Sequence, residues 1–258
     1  MDVFSVHRGT APLLISLPHD GSLIPDALAA RMTPEARRAP DTDWHVSRLY
    51  AFAHALGASV LVPRYSRYVI DLNRPPDDVS LYPGQNTTGL CPLLRFSGDP
   101  VYLPGHEPSL GEIASRIDTY WRPYHHALRD ELDRLRAEHG RVLLWEGHSI
   151  RGECPFLFDG RLPDLSIGTA SGASCAPERQ SRIEAALRAQ TVYGWVVNGR
   201  FKGGYITRCY GDPANGIDAV QLEIAQRIYM DEQSFMYDED LAEGAQHAVR
   251  ALMEAALS

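Results

Sequence analysis

Two short apolar runs in this chain each lead into a histidine. Pro12-Leu13-Leu14-Ile15-Ser16-Leu17-Pro18 delivers His19-Asp20-Gly21, and Val142-Leu143-Leu144-Trp145-Glu146 delivers Gly147-His148-Ser149. Apolar runs of this length bounded by Gly or Pro predict buried strands of an α/β sheet. Ligands of such sheets bind just beyond the carboxyl ends of the strands. A single histidine there ordinarily serves its own loop, but two at matched positions can converge on one metal. Zinc hydrolases use three protein ligands and keep a fourth position open for water. Asp41-Thr42-Asp43, at the start of a predicted helix, offers the third. Either aspartate could equally cap that helix, where a carboxylate accepts backbone N–H groups.

Water activated by a metal still needs a base. In Ala219-Val220-Gln221-Leu222-Glu223-Ile224 the apolar residues alternate with Gln221 and Glu223. A strand places those two polar side chains on one face, opposite Val220, Leu222 and Ile224. Glu223 would ordinarily point to solvent; beside a metal it could move a proton from water to a leaving nitrogen. The arginines suggest an anionic ligand. Arg67-Tyr68-Val69-Ile70-Asp71-Leu72-Asn73-Arg74 predicts a strand ending at Asn73 and Arg74, and Tyr205-Ile206-Thr207-Arg208 follows Gly203-Gly204 in a similar way. Guanidinium groups grip carboxylates in a bidentate fork, which suits a dicarboxylate. The substrate-facing set is therefore Asn73, Arg74, Tyr205, Arg208 and Gln221. Gly147-His148-Ser149-Ile150-Arg151 is not a serine-hydrolase elbow, because Arg151 stands where that motif needs glycine. Adjacent His125 and His126 do not share a helix face, and no glycine-rich phosphate loop is present.

The elements that must position these residues alternate along the chain. Strands are predicted over 12–18, 58–62, 68–72, 142–146, 192–197, 205–209 and 217–224. Helices are predicted over 43–56, ended by Gly57, and from the Ser109-Leu110-Gly111-Glu112 capping box toward Gly140, with Pro123 kinking or dividing the latter. Two more are predicted over 177–190 and 239–257. Residues 73–108 and 152–176 read as long loops, which in compact domains are commonly functional. The alternation predicts an α/β fold: a mostly parallel sheet, some antiparallel pairing toward the end, and helices on both faces.

A length of 258 residues with 44% hydrophobic and 22% charged residues fits a single globular domain spanning 1–258. The formal charge of −8 argues against nucleic acid, and an anionic substrate requires local arginines to reverse the sign. Cys91, Cys154, Cys175 and Cys209 form no C-x-x-C pair and read as reduced thiols. With no signal-peptide pattern and no apolar run near 18 residues, a cytoplasmic protein without membrane association is expected. Oligomeric state is left open.

Several segments, in order along nearly the whole chain, resemble the N-formylglutamate amidohydrolase family. They are PHDGSLIP at 18–25, DTDWHVSRLY at 41–50, SRYVIDLNRPPD at 66–77, SLYPGQNTTGLCP at 80–92 and GHSIR at 147–151. LFDGRLPDLSIGT at 157–169, GRFKGGYITRCYG at 199–211 and AVQLEIAQRIYMDE at 219–232 complete the set. The resemblance implies a three-layer fold similar to zinc carboxypeptidases and aminoacylases, one divalent metal (zinc), and hydrolysis of N-formyl-L-glutamate to formate and L-glutamate in histidine degradation. It implies His19, Asp43 and His148 as metal ligands, Glu223 as acid/base, and Arg74 and Arg208 as holders of substrate carboxylates. This chain has Cys209 and Asp218 where the family pattern often has histidine, and 152–155 is altered, which bears on substrate preference. The competing readings are an amidohydrolase for another N-acyl acidic amino acid and a non-catalytic dicarboxylate-binding protein.

Overall fold

A computed structural model describes residues 2–81 and 83–258. Seven strands form one sheet: β1 (Phe4–His7), β2 (Leu13–Ser16), β3 (Ser59–Pro63), β4 (Val142–Ile150), β5 (Leu165–Gly168), β6 (Trp195–Val197) and β7 (Ile217–Ala225). Their spatial order is β1-β3-β2-β4-β7-β5-β6. The central strands β3, β2, β4 and β7 run parallel, while β1 pairs antiparallel with β3 and β5 antiparallel with β7. The helices are α1 (Asp26–Ala29), α2 (Val46–Leu49), α3 (Leu110–Arg116), α4 (Arg122–His139), α5 (Pro177–Ala189), α6 (Tyr205–Tyr210) and α7 (Glu239–Leu257).

Strand alternation divides the interior into two cores. Leu13, Ile15, Leu143, Trp145, Val220 and Leu222 pack toward residues of α2, α5 and α7. Their neighbours Leu14, Val142, Leu144, Ile217 and Ala219 pack toward α4 and α6. Burial on both faces makes the central strands read as continuous apolar runs rather than as alternation. The expected sheet, mostly parallel and covered by helices on both sides, is the observed one.

The departures have local causes. Residues 68–72 form turns, not a strand: both edges of β2 and of β3 are already paired, so this segment satisfies its backbone through Val69 N–H to Ser66 O and Asp71 N–H to Leu90 O. The expected strand over 205–209 is helix α6, whose Ile206 and Tyr210, four apart, share a face on the second core. β1 and β5 were not foreseen; both are four-residue strands too short to show a period. The helix expected over 43–56 is α2 followed by a tight 3₁₀ turn, ended by Gly57 at φ 71°. Ser109 caps α3 as expected, its Oγ accepting Glu112 N–H at 3.2 Å. Pro123, which cannot donate to the preceding turn, follows a π-helical turn over Ile117–Trp121 that separates α3 from α4.

His125 on α4 ties two layers together. Its Nε2–H donates to Leu72 O at 2.9 Å, and its Nδ1 accepts from the Tyr210 hydroxyl at 2.9 Å. The Trp121 ring stacks on it at 3.7 Å. Burial lowers its pKa to about 3. Between that value and the unfolded value of about 6.5 the unfolded chain binds a proton that the folded chain refuses, so stability is lost as pH falls. Wild-type protein is expected to lose about 2 kcal/mol more than His125→Gln between pH 7 and pH 5, measured by urea unfolding. Equal losses would contradict this role for the neutral imidazole.

Candidate active site

Parallel pairing brings the carboxyl ends of β2, β4 and β7 to one edge of the sheet. The register sets Glu146 beside Gln221 and His148 beside Glu223. By strand alternation these four side chains lie on the α4–α6 face, opposite Trp145 and Leu222. His148 is therefore inside β4, not beyond its end as the run of residues suggested. It still overhangs β2, because β2 stops at Ser16, opposite Glu146. The turn leaving β2 then carries His19 to within 4.8 Å ring-to-ring of His148. Asp43 arrives from a third segment, pinned by its own N–H to His19 O at 3.1 Å.

The donor atoms of His19, Asp43 and His148 lie within 4.8 Å of one another, all buried. Asp43 Oδ2 is 3.0 Å from His148 Nδ1 and 3.7 Å from His19 Nδ1. These separations bracket the roughly 3.3 Å expected between tetrahedral ligands at zinc–nitrogen and zinc–oxygen distances. Both far nitrogens are held: His19 Nε2–H donates to Asp71 Oδ1 at 2.7 Å and His148 Nε2–H to Glu146 Oε1 at 2.7 Å. Carboxylates accept only, so each Nδ1 is left with its lone pair aimed at Asp43. Two lone pairs cannot face one carboxylate oxygen without a cation between them; a proton or a metal ion meets that need. Accordingly, although burial opposes charge on His148, Asp43 and Glu146 hold its pKa well above the usual value. Asp43, Asp71, Glu146 and Glu223 set four buried carboxyl groups against Arg67, the one buried guanidinium beside them among the described residues. The donor set and this charge balance fit a divalent metal.

The supporting residues are fixed in turn. Asp71 accepts from Arg67 Nη2 at 2.7 Å and from Asn73 N–H at 2.9 Å. Burial would raise its pKa, but His19 and Arg67 hold it well below the ordinary range. Glu146 accepts from Thr207 N–H at 3.0 Å and from the Thr207 hydroxyl. Ser149 N–H donates to Asp43 Oδ2 at 3.1 Å. Asp41, the alternative to Asp43, instead accepts from the Tyr68 hydroxyl at 2.6 Å and Phe96 N–H at 2.8 Å. Neither aspartate caps α2; Asp20 receives Ser47 N–H there.

Glu223 is buried, and among the described residues no hydrogen bond ties up its carboxyl. Burial pushes its pKa up to about 8. A cation in the cluster would draw that value down again. Asn73 Nδ2 lies 3.1 Å from His148 Nε2, and Asn73 Oδ1 accepts from Ile206 N–H at 2.9 Å. Gln221 Oε1 accepts from Gly204 N–H at 2.7 Å. Gly204 must be glycine, since a Cβ there would meet Asn73 Nδ2 at 2.3 Å.

One cavity opens over this cluster, with Asn73, Arg74, Gln221 and Glu223 in its lining. Arg67 and Arg200 also line it, and Phe96, Ile150, Leu157 and Phe201 supply its apolar wall. Arg208 is exposed on α6 and donates from Nε to Gly203 O at 2.8 Å. Tyr205 faces the rings of Trp121 and His125. Neither is in the cavity lining. Asp218 lies at the opposite end of β7, accepting from Ala176 N–H and Arg179 Nε at the start of α5, remote from the cavity. Cys209 is exposed on α6.

Asp71, Glu146, Arg67 and Arg200 were not singled out from sequence. Glu146 carried a usable signal: it stands two residues before His148 on a strand, hence on the same face. Asp71 and Arg67 carried none, because their segment reads as a strand and folds as turns.

The sequence pattern of a family described as N-formylglutamate amidohydrolase matches residues 11–230. An N-formylglutamate deformylase of Pseudomonas putida is 52% identical over 257 residues, covering 99% of this chain and 96% of its own. Another, of Pseudomonas aeruginosa, is 52% identical over 258 residues, covering 100% and 97%. A crystal structure of an N-formylglutamate amidohydrolase from Ralstonia eutropha superposes with a TM-score of 0.82 at 25% identity, covering 98% of this chain and 96% of that one. The fold is also that of a gene product from Agrobacterium tumefaciens, with a TM-score of 0.75 at 18% identity and coverage of 100% and 95%.

Proposed function

Because this chain belongs to the N-formylglutamate amidohydrolase family, we propose that it hydrolyses N-formyl-L-glutamate to formate and L-glutamate, the closing step of a route of histidine degradation. The observation that carries this reading is the cluster of His19, Asp43 and His148 with an unengaged Glu223 beside it, at the floor of a cavity that three arginines line. His19, Asp43 and His148 would hold a divalent metal, zinc by the donor set, which would supply Lewis acidity for the formyl oxygen and for water. Glu223 takes the proton of the attacking water and delivers it to the departing amine nitrogen. Its place opposite His148 puts the carboxyl beside the cluster while leaving it free of other bonds.

The remaining residues bind and orient. Arg74 holds a substrate carboxylate, and Arg67, beside the cluster, faces the other. Asn73 and Gln221 shape the floor through their bonds to the α6 turn. Arg208 and Tyr205 act on substrate through that same turn, Arg208 by its bond to Gly203. Phe96, Leu157 and Phe201 exclude bulk water. The whole chain, 1–258, works as one catalytic unit. Among the described residues no helix is long and apolar enough to cross a membrane. All four cysteines are free, as expected of a cytoplasmic setting.

Formate release should be measured with N-formylglutamate and with its neutral relative N-formylglutamine. Loss of one carboxylate leaves a guanidinium unmatched, so kcat/KM is expected to fall on the order of 100-fold or more for the neutral compound. Equal rates for the two would remove the glutamate assignment. Failure to turn over any N-formyl or other N-acyl amino acid in metal-replete protein would favour the non-catalytic binding reading.

A further inference from the structure

Thr87 and Thr88 form part of the wall of the cavity above the cluster, and the same pair faces two further hollows. One, of about 140 Å³, lies between Arg74 and the segment Asp78-Val79-Ser80-Leu81. The other, of about 310 Å³, is bounded by Leu90, Cys91, Leu93 and Ile113. Thr87 and Thr88 are thus shared by the cavity and both hollows, and Arg74 by the cavity and the smaller one.

That stretch is fastened from the floor. Arg74 Nε donates to Thr88 O at 2.7 Å and Nη2 to Thr88 Oγ1 at 3.3 Å. Arg74 is itself held, its carbonyl accepting from Trp121 Nε1 at 3.0 Å. On the far side, Leu90 N–H donates to Asp78 Oδ1 at 2.6 Å. The residue expected to receive a substrate carboxylate therefore also fixes the wall against which that carboxylate would end.

Resting on the proposed deformylase reading, we infer that Thr88 is a specificity-determining residue that limits the length of the amino-acid side chain the cavity accepts. The chemistry of the substrate assigns the ends. Its α-carboxylate is one carbon from the amide-bearing Cα and must stay near the cluster, where Arg67 stands 3.8 Å from Asp43. Its side-chain carboxylate is two methylenes farther and reaches for Arg74 and the wall beyond it. An added methylene drives that carboxylate into Thr88. Thr88 lines both the cavity and the 140 Å³ hollow, so removing its side chain is expected to open the one toward the other and make room.

The test compares kcat/KM for N-formylglutamate and for N-formyl-2-aminoadipate, one methylene longer, in wild type, Thr88→Gly and Thr88→Val. One methylene in a fitted pocket discriminates by roughly 10- to 200-fold. Wild type and Thr88→Val, which keeps the shape of the wall without its hydroxyl, are expected to retain a preference of that size for glutamate. Thr88→Gly is expected to reduce it to within about threefold. Should the glycine variant fail to fold, Thr88→Ser, lacking one methyl, is expected to give an intermediate ratio. A wild-type ratio in folded, metal-replete Thr88→Gly or Thr88→Ser overturns the inference, as does a valine variant relaxed like the glycine one. If wild type releases formate from neither compound, the deformylase reading itself falls, and the inference with it.

Discussion

His148→Ala protein is expected to lose both its bound metal and its formate release, and His19→Ala to do the same. Each substitution removes one of three protein donors. Each also strands a buried carboxylate: Glu146, held by Thr207, or Asp71, held by Arg67. Altering a carboxylate that orients a ligating histidine typically lowers metal affinity 10- to 100-fold. Loss of the imidazole itself should therefore exceed about 100-fold, beyond what purified protein retains through dialysis. Metal content by mass spectrometry, read beside activity, checks this. Asp43→Asn should lose far more metal than Asp41→Asn, because the Asp41 carboxyl is spent on Tyr68 and Phe96 rather than turned to the cluster. Full metal occupancy in His148→Ala would show that the ion sits elsewhere.

Glu223→Gln is expected to behave in the opposite way, keeping its metal while losing about 10²–10⁴-fold in kcat. The substitution preserves size and removes the one carboxyl that, among the described residues, stands beside the cluster without another hydrogen-bond partner. KM should change little, since the substrate carboxylates are assigned to arginines and the role assigned to Glu223 is proton transfer. The amide also removes a buried carboxyl whose pKa burial has raised to about 8. In metal-free protein the variant should therefore fold at least as stably as wild type at pH 9, where the native side chain carries its charge. Loss of metal in Glu223→Gln would make Glu223 a ligand rather than the proton carrier.

Much of this was legible in the residues because central strands of a parallel sheet announce themselves. Leu13–Ser16 and the stretches around Leu143 and Val220 are apolar on both faces, so their polar exceptions stand out: His148, Gln221 and Glu223 are such exceptions, and His19 follows directly. What stayed hidden has a common cause. The segment around Arg67, Asp71 and Asn73 is rich in β-branched and aromatic residues, yet its fold is dictated by paired strand edges elsewhere and by side-chain bonds from Asp71 to His19 and from Asn73 to the Ile206 N–H. Helix α6 was obscured likewise, its β-branched Ile206 and Thr207 outweighing the four-residue spacing of Ile206 and Tyr210. Arg200 reaches the cavity from a loop with no period at all, bonding Asn86 O and Leu157 O across two other loops. Such convergence depends on tertiary structure and leaves no local trace.

The central claim is that the cluster of His19, Asp43 and His148 holds a metal on which hydrolysis of N-formylglutamate depends. Formate release should be followed in wild-type protein as purified, after exhaustive dialysis against a chelator, and after one equivalent of zinc is returned. The account predicts activity, its loss, and its recovery, with one metal ion bound per chain at full recovery. Undiminished formate release from protein shown to contain no metal would contradict it.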